Sequence, residues 1–116
     1  MESDMTLRQI QEWEMSFTVK KGIQQGEEEA TKIATLKLME EVGEIAKAIL
    51  EGEWNEVQAE VADTIVFAAK IANIGEKFHG ATPLTEVMQH KMSYCESRSY
   101  DKKSKKLDKP ANQEFK

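Results

Sequence analysis

The stretch that decides the fold is Lys37–Phe67, KLMEEVGEIAKAILEGEWNEVQAEVADTIVF. Two helix-period segments flank Gly52, a residue type that commonly ends a helix, and Asn55 follows as a candidate cap with Gln58 three residues later. This pattern predicts a helical hairpin that folds back at Gly52. In antiparallel helices joined by a short turn, residues equally distant from the turn lie at the same height.

The hairpin carries acidic residues at matching heights on its two arms. Glu44 and Glu60 lie eight residues on either side of Gly52, and Glu41 and Asp63 lie eleven residues on either side of it. Within each helix, the two acids (Glu41 and Glu44, or Glu60 and Asp63) have i, i+3 spacing and border the apolar stripe. A merely solvated charge would lie on the opposite face of the helix. The sequence therefore predicts that four carboxylates come together.

Such a cluster needs a way to relieve its repulsion. Two like charges about 4 Å apart repel by roughly 4 kcal/mol at an effective dielectric constant near 20. Water, protons or a bound cation can relieve this repulsion. Because only oxygen ligands are present, the pattern favours Mg²⁺, with Mn²⁺ as an alternative, over zinc. The competing interpretation is a solvated acidic face, which EExxE by itself commonly marks.

The two acidic motifs, EEVGE at 40–44 and EVAD at 60–63, resemble a known pair. EExxE followed by ExxD is the signature of the MazG-like all-α nucleoside triphosphate pyrophosphohydrolases, whose superfamily includes the dimeric dUTPases. The similarity covers roughly residues 5–100 and is closest in extent to small single-domain members, such as those carried on integron cassettes. Downstream, the family's KxxxNxxR pattern reads KMSYCESR from Lys91 to Arg98, with Cys95 where Asn is usual.

The resemblance implies an activity and a set of site residues. It implies a hydrolase that converts a ribo- or deoxyribonucleoside triphosphate and water into a monophosphate and pyrophosphate, for housecleaning of the nucleotide pool. The implied Mg²⁺ ligands are Glu41, Glu44, Glu60 and Asp63. The implied catalytic residues are Glu41 and Glu40, the latter as an outer orienting residue or water-activating base.

Two groups of residues are candidates for binding the substrate. Lys91 and Arg98 are seven residues apart, so they face the same way on a helix and suit the oxygens of a polyphosphate. Trp13, Phe17 and Trp54 are candidates for contacting a base, although aromatic residues on short helices are also typical of core or interface packing.

Apolar periodicity predicts an all-α, four-helix bundle-like domain over residues 1–100. A polar tail over residues 101–116 is predicted to be disordered. The helices are predicted from Thr6 to about Gly22, from Glu27 to Leu50, from Asn55 to about Phe78, and from Pro83 to about Arg98.

The third predicted helix is apolar on nearly every side after Asp63, and a chain of 116 residues can hardly cover it. We therefore expect a homodimer or a homotetramer built as a dimer of dimers. The net charge of −5 argues against a nucleic-acid partner. The chain lacks a membrane-length apolar run, and its N-terminal residues lack a signal-peptide pattern, so we expect no membrane partner and a cytoplasmic location.

Two rival functions are considered. One is a non-catalytic helical interaction module whose acidic face binds a basic partner. The other is a carboxylate di-iron bundle, which is disfavoured because the sequence has no Glu-x-x-His pair. Within the enzymatic interpretation, the preferred base and sugar, the number of metal ions, the effect of Cys95 and the choice between a housecleaning and a regulatory role stay open.

Overall fold

The computed structural model describes residues 4–23 and 25–109. Within this range the secondary-structure elements are α1 Leu7–Lys20, α2 Glu27–Leu50, α3 Trp54–His79, α4 Leu84–Glu96, β1 Tyr100–Asp101 and β2 Lys106–Leu107. This architecture confirms the predicted all-α class. The described residues divide after Ala81 into two compact units, the first with α1–α3 and the second with α4 and the strands. The grouping of residues 1–100 into one domain stays a prediction.

Helix α1 begins where the sequence places its cap. The Thr6 hydroxyl accepts a hydrogen bond from the Gln9 backbone N–H at 3.1 Å, and the Gln9 side-chain oxygen accepts one from the Thr6 backbone N–H at 2.7 Å. This reciprocal capping box satisfies two backbone donors that the first turn leaves without partners.

The turn between α2 and α3 lies at Gly52, as predicted. Gly52 has a φ of +71°, in the left-handed region that glycine reaches without steric cost. The Glu53 N–H donates to the Ala48 carbonyl at 3.0 Å, which closes the end of α2. The prediction that Asn55 caps α3 is wrong, since Glu53 occupies the cap position and α3 begins at Trp54. The chain therefore re-enters helix immediately after the glycine, and Asn55 falls within the first turn.

Helices α1 and α2 both pack against α3. Small side chains permit the close approach: Ala34 and Ala69 are each 1% exposed, and Ala48 is 3% exposed. Val57 and Ile74, towards the two ends of α3, and Ala30 on α2 are also buried. The long α2–α3 hairpin thus fixes the height at which its acidic side chains meet.

The second unit differs from the sequence prediction at both ends of α4. Pro83 is the cap position rather than the first helical residue. After α4, β1 and β2 pair antiparallel, with Tyr100 opposite Leu107, although residues 101–116 are predicted from sequence to be a disordered tail. The disorder predicted for residues 110–116 falls outside the described residues.

None of the helices formed by the described residues combines the length and the apolar character needed to cross a membrane.

Candidate metal centre

Helices α2 and α3 bring three carboxylates together. Glu41, Glu60 and Asp63 each offer one oxygen, and these oxygens all lie within 4.8 Å of one another. Glu41 and Glu60 are half-buried, whereas Asp63 is exposed. Across the part of the chain that the structure describes, this is the only group of three or more potential ligands at such spacing. Because Asp63 is exposed, water or a substrate can approach the group from that side.

The pKa of Glu60 is raised to about 7. The largest cause is its hydrogen bond with the Glu41 carboxyl group, followed by partial burial and by a hydrogen bond with Glu56 on the same helix. The negative charges of Glu41 and Glu56 act in the same direction. A proton on Glu60 therefore relieves the repulsion that a cation would otherwise relieve.

Glu41 also carries an atom without a partner. Its Oε2 is buried and makes no hydrogen bond within the described structure. A buried acceptor without a donor is costly, and a divalent cation satisfies such an oxygen as well as a donor does. The donor set consists only of carboxylate oxygens, the ligands that hard ions prefer. The residues present therefore fit Mg²⁺ or Mn²⁺.

The structure does not bring every predicted acidic residue into this group. Glu44 is exposed and lies outside it. Equal distance from the turn sets the height of a side chain along the hairpin but not its direction around the helix, so it does not by itself bring a carboxylate into the group. Glu40 is also exposed, and its carboxylate pairs with the Lys37 ammonium at 3.5 Å on the surface of α2.

The three aromatic candidates are exposed in the single chain. Trp13 and Phe17 stack with ring centroids 4.9 Å apart and are 51% and 37% exposed. Trp13 borders an open cleft of about 570 Å³ whose lining is almost entirely apolar and includes Ile65 and Val66 of α3; we refer to it as the apolar cleft. Trp54, at the first position of α3, is 62% exposed.

A polar network between α1 and α3 is missing from the sequence-based site. The Glu14 carboxylate is 5% exposed and accepts hydrogen bonds from Asn73 Nδ2 at 2.8 Å, the Thr18 hydroxyl at 2.7 Å and the Lys70 ammonium at 2.9 Å. Gln11, 3% exposed, donates to Asn73 Oδ1 at 2.9 Å. Burial acts to raise the pKa of Glu14, but the three hydrogen bonds and the Lys70 charge outweigh it, so the pKa is lowered.

This network forms one wall of a second cleft, of about 370 Å³, which Ile74 and Phe78 line on its apolar side. A sequence signal for the network exists. Gln11, Glu14 and Thr18 follow i, i+3, i+7 spacing, so they form a polar stripe on α1. The apolar stripe on the same helix, formed by Leu7, Ile10, Trp13 and Phe17, is the more conspicuous pattern and masks this signal.

The two predicted phosphate-binding cations lie in the second unit. Lys91 Nζ is 5.9 Å and Arg98 Cζ is 5.6 Å from the centroid of the Tyr94 ring. One aromatic ring therefore contacts both cations. Arg98 is half-buried and donates hydrogen bonds to the backbone carbonyls of Leu107 and Asp108.

Comparison with known proteins identifies one family. The model of the MazG nucleotide pyrophosphohydrolase domain matches residues 29–101, more than half of the 116-residue chain. The matched segment contains the three clustered carboxylates, Lys91 of α4 and Arg98, which lies just after α4. Searches among curated proteins and among solved structures found no match.

Proposed function

The chain belongs to the MazG nucleotide pyrophosphohydrolase family, and we propose that it hydrolyses nucleoside triphosphates between the α and β phosphates with the help of Mg²⁺. The products are a nucleoside monophosphate and pyrophosphate, as expected for housecleaning of the nucleotide pool in the cytoplasm. The observation that carries the proposal is the carboxylate group of Glu41, Glu60 and Asp63, which lies inside the family match.

These three carboxylates would hold Mg²⁺. The orphaned Oε2 of Glu41 and the raised pKa of Glu60 both indicate a site with more negative charge than its protein neighbours neutralise. We retain Glu44 as an outer ligand that acts through water, since Mg²⁺ usually keeps several waters. When bound, the ion offsets the charge of the triphosphate and polarises the phosphorus that is attacked.

Acidic residues of the chain would orient the attacking water and accept its proton. The water oxygen forms a bond to the α phosphorus, the bridging P–O bond breaks, and pyrophosphate leaves with the bonding electron pair. We propose Glu41 and Glu40 as the residues that orient this water and accept its proton. The Glu40–Lys37 contact is a surface ion pair at 3.5 Å, and such pairs are weak enough for Glu40 to exchange Lys37 for water.

Substrate contacts are proposed from the remaining candidates. Lys91 and Arg98 would bind phosphate oxygens, Arg98 through its planar set of donors. The exposed faces of Trp13, Phe17 and Trp54 can stack on a base. Stacking alone is tolerant of base identity, which is consistent with action on several nucleotides.

The test is a screen for pyrophosphate release over the common and damaged nucleoside triphosphates, with Mg²⁺ and with EDTA. Glu41→Gln and Asp63→Asn should each reduce turnover by about 100-fold or more, because each removes a ligand charge while keeping the side-chain shape. The matched control is Glu12→Gln, the same charge change at an exposed position of α1.

The non-catalytic module predicts a different result. If the acidic face only bound a basic partner, no nucleotide would yield pyrophosphate, and EDTA would change nothing. Release of inorganic phosphate instead of pyrophosphate would contradict the proposed bond specificity.

A further inference from the structure

The Arg98 guanidinium is held along one edge by the backbone of the C-terminal hairpin, which we define as residues 99–108. Its Nε–H donates to the Asp108 carbonyl, and its Nη2 donates to the Leu107 carbonyl at 3.1 Å. A guanidinium has five N–H donors. Nη1 makes no hydrogen bond with any of the described residues. The adjacent edge, formed by Nη1 and the second N–H of Nη2, thus retains donors for a ligand.

The face of the same guanidinium rests on an aromatic ring. Arg98 Cζ lies 5.6 Å from the centroid of the Tyr94 ring, one helical turn earlier in the chain. Two carbonyls and one ring therefore restrict a side chain that would otherwise sample many rotamers. Such restriction is useful where a planar group must meet an oxyanion in one orientation.

The hairpin is fastened at both ends, so the two carbonyls are presented in a fixed place. At the turn, the Asp101 carboxylate accepts hydrogen bonds from the Lys103 N–H at 3.0 Å and the Ser104 hydroxyl at 2.9 Å. At the open end, Asp108 Oδ1 accepts one from the Ser99 N–H at 2.8 Å. Two-residue strands have little stability by themselves, so these bonds and Arg98 reinforce the backbone pairing of the hairpin.

We propose that the C-terminal hairpin is a positioning element for phosphate binding: the Leu107 and Asp108 carbonyls hold the Nε side of Arg98 so that its Nη1 edge meets a phosphate oxygen of the substrate. This inference rests on the proposed function, which assigns Arg98 to phosphate. A lysine at this position would lack the second edge, because its ammonium is a compact group that cannot present a planar pair of donors to each side.

The test opens the hairpin in the full chain with the double variant Asp101→Ala/Asp108→Ala and measures pyrophosphate release. We expect kcat/KM to fall about tenfold to hundredfold, the range for losing a charge-assisted hydrogen bond. Removing two acids near a phosphate site should by itself strengthen anion binding, so a loss cannot be a charge effect. Glu96→Ala, which removes an exposed acid from the last turn of α4 without touching the hairpin bonds, is the control for charge and should not lower kcat/KM.

A double-mutant cycle with Arg98→Ala separates positioning from general damage. If the hairpin acts through Arg98, opening it in the Arg98→Ala background should cost nothing further. Equal losses in both backgrounds would overturn the proposal. A second readout is rescue of Arg98→Ala by millimolar guanidinium, which the two carbonyls can still hold. We expect guanidinium to restore activity to Arg98→Ala alone but not to Arg98→Ala combined with Asp101→Ala/Asp108→Ala. Equal restoration in the two variants, or restoration only in the combined variant, would count against the positioning proposal.

The outcomes also distinguish this proposal from the function on which it rests. A wild-type protein that releases pyrophosphate, with Arg98→Ala impaired and the opened hairpin fully active, overturns the positioning proposal alone. A wild-type protein that releases no pyrophosphate from any triphosphate overturns the proposed function and this inference together. Melting curves of each variant identify any loss caused by unfolding. If the double variant unfolds, Asp108→Ala alone replaces it in the same cycle.

Discussion

The carboxyl groups of Glu41 and Glu60 face each other across the two arms of the α2–α3 hairpin, with one oxygen of each within 4.8 Å of the other. The hydrogen bond that a proton between them permits is the largest cause that raises the pKa of Glu60 to about 7. A proton and a divalent cation are therefore alternative ways of neutralising the same group of oxygens. Two predictions follow from this competition, one for the protein without metal and one for metal binding.

Without metal, the stability of the fold should depend on the protonation of Glu60. Its pKa is about 7 in the folded state and about 4.3 in an unfolded chain. The folded state thus binds the proton more tightly, so its stabilising effect is complete below about pH 4 and is lost as the pH rises through about 7. Thermal unfolding in EDTA should show this loss for the wild type, and Glu60→Gln should show a smaller one. Identical pH dependences for Glu60→Gln and the control Glu12→Gln would contradict the assignment.

Mg²⁺ should bind more tightly as the pH rises. Above about pH 7 the cation no longer has to displace a proton from Glu60, and the increase in melting temperature caused by saturating Mg²⁺ should be larger at about pH 8 than at about pH 6. Asp63→Asn should lose most of this increase, because it removes a ligand charge from the group. Calorimetric titration with MgCl₂ measures the affinity directly. An increase that is independent of pH, or equal in Asp63→Asn, would argue against the site.

The α1–α3 polar network should contribute to stability. Glu14→Gln leaves the Lys70 ammonium partly buried without its carboxylate, and we expect a loss of about 1–3 kcal/mol in the free energy of unfolding. Because the pKa of Glu14 is lowered in the folded state, its ionised form contributes stability above about pH 4.3 that is lost as the pH falls through the folded-state value. Chemical denaturation at about pH 7 and at lower pH measures both effects. A loss no larger than that of Glu12→Gln would show that the network is energetically neutral.

Gly43 lies two residues from Glu41 of the carboxylate group, and its replacement tests whether the small size of glycine is needed there. A Cβ at this position would meet nothing within 4 Å in the single chain. Gly43→Ala should therefore stabilise α2 by about 1 kcal/mol through helix propensity. The turnover of the variant then shows whether the glycine is needed for activity. Unchanged activity means that the glycine is only tolerated. A stable but inactive variant means that a substrate or a second chain approaches the backbone at this position. A destabilised variant would contradict the open surroundings.

The sequence predicts the hairpin well because its determinants are local. Gly52 fixes the turn, and equal spacing from it places Glu41 opposite Asp63. The same rule fails for Glu44, since height along a helix does not determine direction around it. On α1 the apolar stripe suggests a buried Trp13, but in the single chain Glu14 is buried instead because partners on α3 satisfy its charge.

The C-terminal hairpin is not predicted from the sequence, for a different reason. Its strands are only two residues long, so no alternation of apolar and polar residues can reveal them. Beside the backbone pairing, the strands are held by side chain–backbone hydrogen bonds from Asp101, Arg98 and Asp108. Such bonds depend on three-dimensional placement, and composition alone indicates a solvated tail.

The apolar cleft predicts self-association. Trp13 and Ile65 are 51% and 44% exposed in the single chain, and full burial of a large apolar side chain is worth about 1.5–3 kcal/mol. Exposed apolar patches of this kind commonly mark interfaces. We expect a second copy of the chain to cover the cleft, in a dimer or a dimer of dimers. Because α3 carries Glu60 and Asp63 as well as Ile65, assembly and activity should be coupled.

The test is Ile65→Glu, studied by light scattering at micromolar concentration and by the rate of pyrophosphate release. Because Ile65 is partly exposed at the cleft in the single chain, the charge can reach water and should leave the protomer folded but prevent a second copy from covering the cleft. The oligomer should then dissociate, with a parallel loss of activity. Leu50→Glu is the matched control, since Leu50 is 88% exposed at the hairpin turn, away from the cleft. A wild-type protein that is monomeric and fully active at every concentration rules out the assembly. If Ile65→Glu dissociates but keeps full activity, the interface exists without contributing to the site.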